Sequence, residues 1–457
     1  MAWSRYVVSD LHLGAGDTQD DFDMDDSFRL FLASLREKKR TELIINGDFI
    51  DFVMMPLDDQ SCRSFSPLGN TEEESRAKLR LAFEGHPGVF DALKDFLADG
   101  HRLVIIPGNH DVDFFWEGVR DDLTERLGSP PDELLYFELS GIYREEGLRV
   151  EHGNQYFEDT LFADPQNPFM VDGDGVKRLE RCWGNCFLMY FARGLRRKNP
   201  FIDNVKPLSS LVWLGIQDET LPFKLQHAYK LCNFIMRVGF PPFKPRKKER
   251  WRGDPYVEAR GKARSRIMGR LLPFELPWRN GGEAGTEMAC ALAQVLDEMP
   301  RAEVPDPVCI ELDGNGASGN GNGHANGNGN GPGGGPLGRK GRLALDPLAT
   351  REDNLSLKAR ALLLAEDELD VVIFGHDHRY YSNQLQPSLD GRRGKYYINT
   401  GTWMPMLFLN KARRQLRWED LRNPALYTQL LTYAEVKHSF GRTVAELKAF
   451  DAKLGTA

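Results

Sequence analysis

Five short clusters in this chain combine carboxylate, imidazole and amide side chains: Asp10-x-His12, Gly47-Asp48-x-x-Asp51, Gly108-Asn109-His110-Asp111, His152, and Gly375-His376-x-His378. A carboxylate and an imidazole one residue apart at a strand end face the same side, because strand residues alternate, and can grip one cation. The glycine before His376 permits a tight turn that aims both imidazoles of His376-x-His378 outward. Alone the clusters differ in weight: Asp10-x-His12, Gly47-Asp48-x-x-Asp51 and His152 are weak signals, while His376-x-His378 and Gly108-Asn109-His110-Asp111 are more specific. Their shared setting is stronger: each directly follows an apolar, strand-like run, which independent accidents would not arrange. Oxygen and imidazole donors without thiolates suit borderline divalent cations such as manganese, iron or zinc. Such a cation lowers the pKa of bound water and so can supply a nucleophile near neutral pH.

The elements that must position these groups are short strands. Tyr6–Val8, Leu43–Ile45, Leu103–Ile106, Leu148–Val150 and Val371–Phe374 each lead into one cluster. Near-continuous apolar runs predict strands covered on both faces. Helical patterns at Asp26–Lys39 and Gly88–Ala98 lie between them. The expectation is a layered α/β domain, two central sheets flanked by helices, with its chemistry at the strand C-termini. About 220 residues separate His152 from Gly375, far more than a loop needs. The division expected is a first core part over 1–160, an inserted, largely helical basic cap over 161–312, a second core part over 343–410 and a helical C-terminal segment over 411–457. Val176–Leu195 and Phe223–Val238 carry the cap's helical patterns. Pro424–Val436 and Thr443–Leu454 carry those of the C-terminal segment. Residues 313–342 are Gly/Asn repeats, a composition that cannot bury a core and predicts a disordered linker.

Charge is unevenly distributed. The net formal charge is −8, yet Lys177–Arg270 holds 22 Lys and Arg against 7 Asp and Glu, a balance of +15. A segregated positive field points to an anionic partner. Basic residues interleaved with Trp183, Phe187, Tyr190, Phe191, Trp213 and Phe234 suit an anionic membrane surface, and second to that a single-stranded nucleic acid. A strand-like run already starts at Arg5, so a secretory leader is not expected, and no apolar run reaches the ~18 residues of a membrane span. Six cysteines form no C-x-x-C pair, so a zinc ribbon or redox motif is not expected. These features predict a cytoplasmic protein, peripheral at the inner membrane face if the cap binds lipid. The acidic run Asp17–Asp26 lacks the glycine and distal glutamate of a calcium loop and reads as a solvated loop leading into a helix N-terminus.

In order and spacing the five clusters resemble the calcineurin-like metallophosphoesterase superfamily, whose pattern is D-x-H, G-D-x-x-D, G-N-H-D/E, H and G-H-x-H. The resemblance covers roughly residues 1–160 and 365–405. It implies a metal-dependent phosphoester hydrolase with two divalent ions, manganese favoured. Asp10, His12, Asp48 and His378 are then the first ion's ligands. Asp48, Asn109, His152 and His376 are the second's, with Asp48 bridging. His110 corresponds to the family's catalytic histidine and Asp51 to its carboxylate partner. Phe52-Val53 after Asp51 departs from the Arg-Gly of the protein phosphatase branch. The opening Ser9–Gly14 and the segment Asn399–Trp403 are similar to those of bacterial UDP-2,3-diacylglucosamine hydrolases, which carry Arg where His110 stands. Nucleases of the superfamily share the same opening. The implied substrate is a phosphoester, either a lipid- or nucleotide-linked phosphodiester or pyrophosphate, or alternatively a polynucleotide. A binding scaffold with a silent site is the remaining class, and no ligand position is lost to suggest it.

Overall fold

The computed structural model describes residues 3–18, 20–55, 69–172, 175–196, 201, 204–206, 228–232, 234–235, 309–310, 343–344, 354–386, 395–408 and 416–452. Through its first half the chain runs β1 (Ser4–Val8), α1 (Asp25–Arg36), β2 (Thr41–Asn46), α2 (Glu72–Gly85), α3 (Pro87–Ala98), β3 (Arg102–Ile106), α4 (Glu117–Arg126), β4 (Leu135–Phe137), β5 (Ile142–Glu145) and β6 (Leu148–Glu151). There follow β7 (Phe169–Val171), β8 (Lys177–Leu179), α5 (Trp183–Phe187), α6 (Arg193–Arg196) and β9 (Val205–Lys206). A separate unit, Glu303–Arg351, contains the antiparallel pair β10 (Cys309–Ile310) and β11 (Leu343–Ala344). The rest of the first unit is α7 (Asn354–Ala365), β12 (Val371–Phe374), β13 (Tyr380–Gln386), β14 (Lys395–Thr400), β15 (Leu407–Phe408), β16 (Thr432–Ser439) and β17 (Arg442–Ala449).

Alternate residues of the apolar strands enter different cores, and this builds the layers. Tyr6 and Val8, Leu43 and Ile45, and Leu103 and Ile105 join Phe28, Phe31, Leu79, Phe90 and Leu123 of α1–α4 in the largest core. The intervening Val7, Ile44 and Val104 pack instead against Val150, Val371, Ile373 and Ile398. Val372, Phe374 and Tyr397 turn the other way, onto Leu355, Ala359 and Leu363 of α7. Helices, sheet, sheet and helix therefore stack in four layers, as expected of an α/β sandwich. The first sheet has the order β17-β16-β1-β2-β3-β4, and the second β13-β14-β12-β6-β5. β1, β2, β3 and β4 are mutually parallel, as are β6, β12 and β14.

Three expectations need correction. The C-terminal segment is not helical. Two 3₁₀ turns, Trp418–Arg422 and Pro424–Leu426, precede an antiparallel hairpin, β16–β17. β16 pairs antiparallel with the free edge of β1, burying Thr432, Ala434 and Val436 at period two. Ladder hydrogen bonds and this burial override the helix propensity of Ala, Glu, Leu and Lys. Nor does the core end at residue 160. Phe162, Leu179 and Cys182 enter the largest core, and Val176–Leu195 begins as β8 and becomes helical only from Trp183. Finally, the acidic loop is not simply solvated. The Asp20 side chain is 4% exposed and pairs with His86, while Asp21 pairs with buried Arg196. Arg181 and Arg193 are buried too, so part of the positive charge assigned to a cap surface is internal. Most of the expected cap, its basic cluster at Lys244–Arg252 and the Gly/Asn-rich stretch 313–342 lie outside the described residues. No described helix is long and apolar enough to cross a membrane.

Candidate metal centre

Both sheets deliver side chains to one place. Asp10 and His12 follow β1, Asp48 and Asp51 follow β2, and Asn109 and His110 follow β3. His152 follows β6, and His376 and His378 follow β12. Three donor groups result among the described residues: Asp10, His12 and His378; Asp48, His152 and His376; and His12, Asp51 and His110, the first and last sharing His12. Asp48 Oδ2 lies 3.6 Å from His12 Nε2 and 3.2 Å from His152 Nε2, between the first two groups. His378 Nε2 is 3.4 Å from Asp10 Oδ1. His110 stands beside this array, its Nδ1 2.9 Å from Asp51 Oδ1.

Local backbone accounts for the convergence, though not in the way a strand would. β1 ends at Val8, and Asp10 and His12 have φ of 53° and 54°. Asp48, His376 and His378 are also left-handed, with φ of 51°, 72° and 63°. Aspartate tolerates this region better than most residues, histidine less so, and such strain collects at functional sites. The two groups of Asp10-x-His12 therefore meet through kinked loop backbone rather than strand alternation. Fixed bonds hold the kinks: Asp10 N to Gly47 O at 3.1 Å, His12 N to Asp48 O at 2.8 Å, and His376 N to Asp10 Oδ2 at 3.0 Å. Gly47 has φ of 80°, and a Cβ there would lie 2.2 Å from His152 Nδ1. Gly375 must also be bare, since a Cβ would meet Ser9 Oγ at 2.5 Å and Asp10 Oδ2 at 2.6 Å. Asn399-Thr400-Gly401-Thr402 laces the last cluster to the first: Asn399 Nδ2 donates to Gly375 O and Thr402 Oγ1 to Asp10 O.

Burial opposes charge throughout the site, and the neighbours decide who carries it. Burial raises Asp10 above the usual carboxylate range despite His152 and His12. The same burial works against Asp48, but His152, His110 and His12 outweigh it and hold Asp48 well below that range. Asp51 is likewise held low, against its burial, by His110 and His12. Against burial, Asp51 and Asp48 lift His110 to about 9, and Asp48 and Asp10 lift His152 to about 10. His376 and His378 go the other way: burial, joined by the charge of His152 for one and Lys206 for the other, holds them neutral.

Several donors here have no protein partner. His12 Nδ1 and Nε2, His152 Nε2 and Asn109 Oδ1 are buried and make no hydrogen bond. Buried polar atoms are ordinarily satisfied, so a cluster of imidazole and amide atoms without hydrogen bonds, facing carboxylates, fits cation binding. His152 Nδ1 donates to Asn46 O at 2.9 Å, which turns its Nε2 toward Asp48. Residues 5–185 match the calcineurin-like phosphoesterase family model. The fold, two sheets flanked by helices, is that of a metallophosphoesterase domain. His376 and His378 lie beyond the matched stretch and complete the same site from the second sheet. No curated protein matches the chain.

Eight of the nine residues singled out in the sequence meet in these donor groups, and the ninth, Asn109, is buried next to His110 with its Oδ1 making no hydrogen bond. Three further contributors escaped sequence reasoning. Asp111 is fully buried and accepts from Gly108 N, Asp48 N and Phe49 N, tying the turn after β2 to that after β3. Its place in the G-N-H-D run was the available signal. Thr160 and Asn185 reach the site from outside every motif, at 3.1 Å from His376 Nε2 and 2.6 Å from Asn109 O.

Proposed function

We propose that this chain is a phosphoester hydrolase that works with two divalent metal ions, manganese favoured. The observation that supports it most is the position of Asp48, whose Oδ2 faces His12 Nε2 at 3.6 Å and His152 Nε2 at 3.2 Å. Asp10, His12, Asp48 and His378 would hold one ion, and Asp48, Asn109, His152 and His376 the other. Bound there, the ions supply Lewis acidity, lowering the pKa of water and neutralising phosphoryl charge. His110 would carry the proton. Its Nδ1 is tied to Asp51, so Nε2 is the atom that faces substrate and donates to the leaving oxygen. Asp51 fixes that ring and keeps it cationic.

A proton donor matters most for a poor leaving group, so the substrate class favoured is a phosphodiester or pyrophosphate linked to a lipid or nucleotide. The likeness of Ser9–Gly14 and Asn399–Trp403 to UDP-2,3-diacylglucosamine hydrolases supports the lipid-linked form. His110, where those enzymes carry Arg, favours a second reading, a nucleotide phosphodiesterase or nuclease. The test is elemental analysis of manganese-loaded protein together with turnover of bis(p-nitrophenyl) phosphate. Two ions per chain and activity abolished by chelation are expected. One ion or none would sink the dinuclear reading. Asp48→Asn should weaken both ions together.

A further inference from the structure

We infer that Thr160 and Asn185 are positioning residues that fix the donor atoms of His376 and Asn109, and so govern one of the two metal ions selectively. The inference rests on the two-ion reading above.

The argument is one of hydrogen-bond logic. Asn109 and Asn185 form a reciprocal pair. Asn185 Nδ2 donates to the backbone carbonyl of Asn109 at 2.6 Å. A carbonyl only accepts, so that end of Asn185 is its amide nitrogen. The other end, Oδ1, can only accept, and it receives Asn109 Nδ2 at 3.3 Å. The Asn109 amide is thereby held with its nitrogen toward Asn185. Its Oδ1 is left buried without a partner, directed away from that bond. Asn185 is itself fully buried.

Thr160 does the equivalent for His376. Its one hydroxyl proton goes to Asn154 O at 2.9 Å. Toward His376 Nε2, 3.1 Å away, the hydroxyl can then only accept. His376 must carry its proton on Nε2, and Nδ1 keeps the free lone pair. Both constrained residues belong to the donor set of the second ion. The first ion's set contains neither.

The two positioning residues are also joined to each other. Gly184 N donates to Asp159 O at 2.6 Å. A Cβ at Gly184 would lie 3.2 Å from both Asp159 O and Thr160 Cγ2. The Thr160 loop and the first turn of α5 therefore form one clamp. A π-helical stretch, Leu188–Ala192, follows α5 directly, a geometry that tends to mark functional sites.

Thr160→Val keeps the shape and removes the acceptor, and Thr160→Ser restores it. Asn185→Leu keeps the volume and removes both hydrogen bonds. Each full-length protein is stripped and titrated with Mn²⁺ alone, followed by calorimetry and by electron paramagnetic resonance. Thr160→Val and Asn185→Leu should lose about 10–100-fold in affinity for one ion while the other binds as in wild type. The exchange-coupled manganese signal should give way to that of an isolated ion at one equivalent. Thr160→Ser should behave as wild type, which a role in packing alone would not require. Wild type binding two ions, with both variants keeping both affinities within about twofold, overturns the inference alone. Wild type that binds fewer than two ions overturns the two-ion reading and the inference with it.

Discussion

On the proposed assignment His110 and Asp51 stand beside the metal ligands without joining them, and that allows chemistry to be separated from metal binding. His110→Ala should lower the turnover number by about 10²–10⁴-fold, the usual worth of a general acid, with metal content unchanged. The loss should shrink for aryl esters with very acidic leaving groups, which need no proton. Metal lost along with activity would show the role to be misassigned. Gly47 tests the backbone instead. Gly47→Ala places a Cβ against His152 at a left-handed position and should cost both stability and metal affinity, measured by thermal melting and Mn²⁺ titration. The convergence of these side chains was legible because each lies within a few residues of a strand end, so local order carried the signal. Thr160 and Asn185 were not legible. Their partners are 216 and 76 residues away, and no local pattern marks a residue whose meaning arises only from packing.

Between elements, buried charge does the tying. His86, at the junction of α2 and α3, reaches Asp20 Oδ2 at 2.9 Å and Asp25 Oδ1 of α1 at 3.0 Å. Burial pulls its pKa down, but the two carboxylates win and lift it from 6.5 to about 9. A raised folded-state pKa contributes stability that is complete below about 6.5 and lost as pH rises toward 9. The melting temperature of wild type relative to His86→Gln should therefore fall across that window. A constant difference between pH 6 and 9 would refute the pairing. Arg181 makes a second tie, holding Asp113 at 2.8 and 3.1 Å just before α5. Arg181→Ala should cost about 3–5 kcal/mol in urea unfolding, because Asp113 is left charged and buried. Replacing both residues by apolar ones should cost less. At this scale the sequence misled in one place and was under-read in another. Residues 432–449 are rich in helix formers, yet they complete a sheet edge that only tertiary pairing reveals. For α2 the signal was present: Thr71 and Glu74 form a capping box.

Over the whole molecule, the site concentrates buried carboxylates. Asp10, Asp48, Asp51 and Asp111 are all buried around it. Ions that bind only the folded state add about 2.7 kcal/mol at a hundredfold excess over Kd. Chelation should thus lower the melting temperature and Mn²⁺ restore it in calorimetry. A melting temperature indifferent to both would mean that no ion binds there. The layered sandwich was legible at this scale because its strands are apolar on both faces. The split of donors between two sheets has a further consequence, one of timing. His376 bonds to the Asp10 carboxylate across 366 residues of chain. At ~5–20 residues per second of synthesis, the first sheet's aspartates wait tens of seconds for the two histidines that complete the cluster. A nascent chain stopped after the matched stretch, at residue 185, has Asp10 and Asp48 but neither His376 nor His378. On the two-ion reading metal capture is therefore late, and a ribosome-held fragment of that length should fail to retain manganese even where β1–β4 have paired.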